Sequence, residues 1–453
     1  MRRYMYSLVA GLCLAACSET FPGVEGEVPE EKDFNSSEVT NDRIPILLSY
    51  NDPNYLILTR GSGPFEDFAS DREHWLGAEF SVFAYKLPNS VDASYDFSNS
   101  TDYQKNDSEE KCLLFDRKVK LKTASESALS GDDYLSLEWT DKGQYFFNGN
   151  RQDYKYGFFL AYCDDAIGGD DWKTSPECVY ADVTIDGTQD ILTAVAKPSE
   201  SKMEELKGEK YKDLLANWDD LVFSTFAAHR GLQPQFDVKH ELVRLEFSIV
   251  PGDPKATGVK LKDIKLMSPK TRARLIVAAQ DESRVGVDLN SANTDGSDWH
   301  LHDKEEENAE TPYLKPIILN YVGGQEDRDK QTEIPVGTSF LAFPDNSYQI
   351  QLVCEQVKTD KDGNPILDEE GNPKMYHTYP TYVIQLSSRE NFKAGHKYAI
   401  RITVYGIQRI EMSMGSSKWQ PGTDDDHPIV VDPDELGANE DYDVEDKTDD
   451  TTK

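Results

Sequence analysis

Apolar residues recur at every second position, in short runs broken by Asp, Gly, Ser, Asn and Pro. That period belongs to strands, whose successive side chains leave opposite faces. "AEFSVFAYKL" (78–87) sets Phe80, Val82 and Ala84 against Glu79, Ser81, Phe83 and Tyr85, which predicts a strand apolar on both faces. "RIPILLSY" (43–50) and "NYLILTR" (54–60) predict extended pieces joined by an Asn51-Asp52-Pro53 turn. "CLLFDRKVKL", "YLSLEW", "YKYGFFLAYC" and "CVYADVTI" continue the series. A second series opens after Gly231-Leu232-Gln233-Pro234 with "QFDVKHELVRLEFSIV" (235–250). It runs through 259–267, 274–280, 314–322, 339–344, 347–357 and 375–386 to "KYAIRITVYGIQRIEMS" (397–413), read as one strand of that region's own sheet. Short strands at this spacing predict sandwiches. The clearest helical stretch is 201–227, with Met203, Leu206, Leu214, Leu215 and Trp218 at roughly helical spacing and placed to pack on a sheet. Residues 281–313 read as a polar, acidic insert.

The start of the chain follows another pattern. Arg2 and Arg3 precede an apolar stretch at 4–16, and the small residues Ala15 and Ala16 precede Cys17. A bilayer span needs about 20 apolar residues, so this stretch reads as an export signal. Residues 18–42 are polar and rich in Glu, Pro, Ser and Asn, as a tether is. The expected organisation is a signal peptide at 1–16, a tether at 17–43, β domains at 44–232 and 233–422, and an acidic tail at 423–453.

Composition narrows the function classes. The chain has 453 residues, with 83 Asp and Glu against 48 Lys and Arg, a net charge of −35. Such a surface repels phosphate backbones, so nucleic acid is not an expected partner. Apart from Cys13 and Cys17 there are four cysteines, without C-x-x-C spacing. Cys163 and Cys178 flank a Gly/Asp-rich loop, and either a disulfide or two buried thiols fits.

"DKDGNPILDEEG" (360–371) alternates Asp360, Asp362 and Asn364 as a calcium loop does. Pro365 stands where an EF-hand needs Gly, and Gly371 where its bidentate Glu belongs. The stretch reads instead as the tip of a long hairpin joining 347–357 to 375–386. The histidines read as scattered, so no zinc site is expected, and His240 is assigned a structural role. There is no G-x-S-x-G elbow and no P-loop, and Gly61-Ser62-Gly63 is a plain loop. No catalytic constellation stands out, so neither enzymatic activity nor a cofactor is expected.

Two resemblances add to this reading. Leu14-Ala15-Ala16-Cys17 resembles the bacterial lipobox, which implies cleavage before Cys17, a diacylglycerol on its sulfur and an acylated amine. Two or more acyl chains anchor stably. The lipobox, Thr59-Arg60-Gly61, "HWLGAEFSVFAYKL" (74–87) and "QDILTAVA" (189–196) combine with "FDVKHELVRLEFSIV" (236–250), "IPVGTSFLAFPDNSYQIQL" (334–352), "FKAGHKYAIRITVYGIQRIEMS" (392–413) and "SKWQPG" (417–422). Together they resemble the fimbrillin family of Bacteroidetes-type pilus subunits, over about residues 44–422. The blocks F-x-V-x-H-x-x-x-R-L-x-F (236–247) and F-x-A-G-x-x-Y (392–398) carry most of the likeness.

The resemblance implies a mainly β chain with two tandem transthyretin-like β-sandwich domains and short helical inserts. It implies a structural or adhesive fimbrial subunit, exported as a lipoprotein to the outer membrane and exposed at the cell surface. Its partners would be other pilus subunits, the membrane through the lipid, and host or bacterial surface ligands. In this family an arginine-specific protease removes the first strand, and a neighbouring subunit's C-terminal strand fills the groove. Here the removable strand would be Ile44–Thr59 and the scissile residue Arg60. A cut at Arg43 would remove only the tether. Beyond 413 only "PIVV" (428–431) is apolar, which fits a tip, anchor or accessory subunit as well as a stalk subunit. The alternative is a glycan-binding surface lipoprotein of a nutrient-uptake system, with Trp75, Trp172, Trp299 and Trp419 as stacking platforms.

Overall fold

A computed structural model describes residues 44–51, 78–88, 94–98, 112–121, 135–146, 154–163, 166–167, 172–198, 203–204, 223–228, 232–303 and 313–418. All of them fall in one compact unit, Thr40–Lys453. The signal, the tether, the acidic tail, "NYLILTR" and most of the helix expected at 201–227 lie outside the described residues.

The alternating patterns form strands where the sequence places them. The first series is β1 (Ile44–Pro45), β2 (Leu48–Asn51), β3 (Phe80–Pro88), β4 (Cys112–Leu121), β5 (Leu135–Trp139), β6 (Tyr145–Phe146) and β7 (Tyr154–Tyr162). It continues with β8 (Lys173–Thr174), β9 (Cys178–Thr184), β10 (Leu192–Lys197) and the short helix α1 (Thr225–Ala228); β11 (Gln235–Asp237) and β12 (Lys239–His240), from the stretch expected to open the second series, join the sheet of the first. One sheet runs β11-β2-β5-β4-β3-β7-β10, and β10 pairs back onto β11. Seven strands thus close on themselves, and β12 extends β11 along the same side of β10. Closure removes the free edges of this sheet.

The double-sided pattern of β3 has a physical outcome. Phe80, Val82 and Ala84 enter one core with Phe158, Leu160 and Leu192. Phe83 and Tyr85 leave the opposite face and enter a second core with Phe159, Val179, Leu245 and Ile400. β3 is therefore a wall shared by two apolar interiors, and no polar face is needed.

The second series is β13 (Val243–Pro251), β14 (Lys260–Leu266), β15 (Arg272–Ala279), β16 (Gly286–Asn293), β17 (Trp299–His300) and β18 (Ile317–Ile318). It ends with β19 (Ile334–Ala342), β20 (Ser347–Val357), β21 (Met375–Thr378), β22 (Thr381–Gln385), β23 (His396–Gly406) and β24 (Arg409–Lys418). These form a sheet β19-β13-β23-β24, a sheet of β14 and β20 flanked by β17, β18, β21 and β22, and a sheet β16-β15-β9-β8. The last takes β8 and β9 from far upstream, with Ala181 opposite Leu275.

Two expectations are corrected, while the hairpin expected between 347–357 and 375–386 forms, with β20 pairing β21 and β22. The stretch 397–413 is a hairpin and not one strand, because Gly406 at φ +145° turns the chain and β24 folds back on β23. The insert at 281–313 contains β16, which pairs with β15, and β17, which pairs with β14. The hairpin tip at 358–374 is double. Lys358 N–H donates to Lys374 O, Lys374 N–H to Ile366 O, and Ile366 N–H to Lys358 O, each at 2.8 Å. Gly363 (φ +84°) and Gly371 (φ +87°) close one loop on each side of Ile366. The Asp360 carboxylate accepts the N–H groups of Asp362 and Asn364, and Asp368 those of Glu370 and Asn372. The carboxylates that suggested a calcium loop are turned onto their own backbone.

Candidate functional site: the seat of the first strand

Within 44–51, β2 occupies an inner position of the closed sheet, and β1 pairs apart from it with β6. β2 runs parallel to β11, with Phe236 opposite Tyr50, and antiparallel to β5, with Leu48 opposite Leu137. Ile46 is 1% exposed and Leu48 4%, and both enter the core that holds Phe80 and Phe158. Each such burial is worth about 1.5–3 kcal/mol.

Hydrogen bonds hold the backbone on both sides. Ile46 N–H donates to Gln144 O at 2.8 Å, and Trp139 Nε1–H donates to Ile46 O at 3.0 Å. On the other side Leu47 N–H donates to Gln233 Oε1 at 3.2 Å, and Ser49 N–H to Pro234 O at 3.2 Å. Gln233 Nε2 reaches Pro45 O at 3.4 Å. A peptide seated here needs an apolar side chain at two positions two apart, with the backbone running parallel to β11. Such a slot reads backbone and alternate side chains together.

Farther along β10, where β12 pairs with it, lies a buried polar junction. Asp190 is 0% exposed, and its Oδ2 meets His240 Nδ1 at 2.9 Å. Asp190 Oδ1 accepts the Ile191 N–H at 2.8 Å. The neighbouring Glu241 carboxylate accepts the Thr193 hydroxyl and packs on Gly286, where an added Cβ would stand 2.5 Å from Oε2. That close approach and the φ of +128° both call for glycine. Glu241 keeps some exposure as a residue, but its carboxylate is enclosed.

Burial raises the Glu241 carboxyl above the ordinary carboxylate value, against the lowering effects of the Thr193 hydroxyl and the Val287 N–H. The folded chain then holds this proton more tightly than the unfolded chain. Stability falls as pH rises from the ordinary value through the raised one. Glu241→Gln keeps an acceptor for both donors and removes the titration. The variant is expected to melt above the parent chain at neutral pH and to lose that advantage on acidification. Melts from about pH 4 to about pH 8 test this, and an unchanged pH slope would count against it.

The two blocks that carry the family likeness meet at this junction. Phe236 and Val238 enter the first core, and Leu245 and Phe247 the second. Arg244 is buried with its guanidinium 2.9 Å from Glu246. Gly395 (φ +68°) donates its N–H to Leu242 O and lies against His240 O. Phe392 and Tyr398 stack edge to face at 4.7 Å, and the Tyr398 hydroxyl accepts the Lys393 N–H at 3.0 Å. The spacing F-x-A-G-x-x-Y thus builds a corner that returns the chain to β23 beside β13.

Cys17, Arg60, Arg43, Trp75, Trp419 and "PIVV" lie outside the described residues. Cys163 and Cys178 are buried thiols, as are Cys112 and Cys354; burial pushes the Cys354 thiol up to about 12. Of the tryptophans offered as sugar platforms, Trp299 lies inside the core and Trp172 is half-buried. Trp299 is 5% exposed and packs near Phe340, and Trp172 packs edge-on against Phe83 at 5.0 Å.

The reading of the histidines as scattered is also corrected. His300-Leu301-His302 is an H-x-H pair, and that spacing is the signal that could have found it.

No known family profile matches the chain, and no curated protein does. Among solved structures it is similar to a provisionally named cell adhesion protein from Bacteroides ovatus, at 12% identity and TM-score 0.37, covering 84% of this chain and 100% of that one. It is similar to a fimbrial assembly protein from Parabacteroides distasonis at 11% identity and TM-score 0.33, covering 87% and 100%. It is similar to the fimbrial anchor protein Mfa2 from Porphyromonas gingivalis at 12% identity and TM-score 0.29, covering 86% and 100%.

Proposed function

We propose that the chain is a structural and adhesive subunit of a cell-surface pilus. Export as a lipoprotein through Cys17 delivers it to the outer membrane. It is built as two tandem transthyretin-like β-sandwich domains, and it joins other pilus subunits by strand exchange after cleavage at Arg60. It has no catalytic role.

The observation that carries the reading is the inner placement of β2 between β11 and β5. A first strand at a sheet edge would leave little behind on departure. An inner strand leaves two unpaired ladders and an apolar slot, which is a template for another chain's strand. A contact of that kind is heterologous and does not close, so repetition builds a filament. Arg60 follows the last residue of β2, Asn51, closely in the sequence and precedes Gly61-Ser62-Gly63. A cut there severs β2 from everything downstream.

Limited digestion with an arginine-specific protease tests the proposal. The expected product begins at Gly61 by intact mass and runs as a ladder of oligomers by size exclusion. A cut elsewhere, or a product that loses residues 44–60 and stays a stable monomer, sinks the assembly scheme.

A further inference from the structure

We propose that His300 and His302 form a binding site for a divalent transition-metal ion, with Asp263 behind them. Leu301 between them is buried, so the two histidines leave the opposite, outer face of an extended segment. Lys265 lies opposite His300, and the Leu301 N–H donates to Ile264 O at 2.9 Å. Continuing that register places His302 opposite Asp263.

Both rings pack on Tyr313: His300 stacks on it at 4.1 Å between centroids, and His302 meets it edge-on at 5.7 Å. The backbone is pinned on its other side, since the Thr338 N–H donates to His302 O at 2.8 Å.

Asp263 gives the pair a metal-binding chemistry. Its Oδ2 lies 2.6 Å from His300 Nδ1. A carboxylate accepting from one imidazole nitrogen fixes the tautomer and leaves the other lone pair outward, the arrangement found behind metal-bound histidines. Asp263 is 9% exposed, and its Oδ1 has no hydrogen-bond partner. A cation on His300 compensates that buried negative charge. Lys265 shares the face and balances Asp263 only in part, while the net charge of −35 enriches cations around the chain.

Among the described residues no group of three or more His, Cys, Asp or Glu side chains could hold a metal. The site is therefore a two-imidazole site completed by solvent. Imidazole ligands suit copper(II), nickel and zinc, and exclude calcium and magnesium, which take oxygen.

Isothermal titration of the full chain, carrying no affinity tag, with nickel, zinc and copper(II) salts reads the site. Quenching of the adjacent Trp299 gives a second signal for nickel and copper. The expected result is one saturable micromolar site, absent in His302→Ala and in His302→Gln. Neither change touches the Asp263–His300 pair, and both variants should melt with the parent chain. Asp263→Asn should weaken binding by about 10–100-fold. Calcium should give no signal at this site. Binding that survives in both His302 variants places the ion on surface carboxylates and overturns the proposal. So does the lack of any saturable site below millimolar metal.

Discussion

A chain lacking residues 44–51 is expected to lose most of its resistance to unfolding and to regain it from a peptide of that sequence. The loss follows from the slot. Ile46 and Leu48 together contribute about 3–6 kcal/mol of apolar burial. The hydrogen bonds of this segment with Trp139, Gln144, Gln233 and Pro234 add about 0.5–1.5 kcal/mol each. The net stability of a domain is about 5–15 kcal/mol, so the deletion removes a large share of it. Added peptide binds only the folded form and raises the melting temperature with its concentration. A peptide carrying Asp at the positions of Ile46 and Leu48 should give no rise, because two carboxylates would enter the core. Melting of the deletion variant within a few degrees of the full chain, with no response to peptide, would show that β2 is dispensable.

How much of this was legible in the sequence depends on the range of the interaction. The two faces of β3 were legible, since the Phe80-Val82-Ala84 and Phe83-Tyr85 sets are local and the strand period sorts them directly. The closure of the first sheet was not. Gln235 pairs with both Ser49 and Lys197, and nothing local at any of these positions names the other two. The pairing of β9 with β15 is hidden for the same reason. β16 was missed differently: its Asp, Asn and Ser content masks a strand that gains little from burial and is held by its ladder to β15. The hairpin at 406 carried a local signal, the glycine, which the strong alternation on either side outweighed.

The site residues divide along the same line. Phe236, Arg244 and Tyr398 were legible as a motif, but their physical role was not. That role is a meeting of β13 with β23, parallel strands whose paired residues Leu245 and Tyr398 lie far apart in the chain. His240 was assigned a structural role from its place in a strand, and the structure supplies the reason, a buried carboxylate at Asp190.

That pair supports the second large effect. His240→Ala is expected to destabilise the chain by about 3–5 kcal/mol, because it leaves the Asp190 carboxylate enclosed without its counter-group. The Ile191 N–H remains on Oδ1, but Oδ2 faces the space left by the ring. Asp190→Asn should cost less, since the amide oxygen still accepts from Ile191 and no charge is left inside. The double variant Asp190→Asn with His240→Ala should then be more stable than His240→Ala alone. Residues this close couple strongly, and a double-mutant cycle on urea midpoints reads the coupling. An effect of His240→Ala below about 1 kcal/mol, the ordinary cost of one lost neutral hydrogen bond, would mean that water reaches Asp190 and that the junction is not sealed. If the seal holds, the segment from β12 into β13 is fixed by a buried pair on one side and by Gly395 on the other.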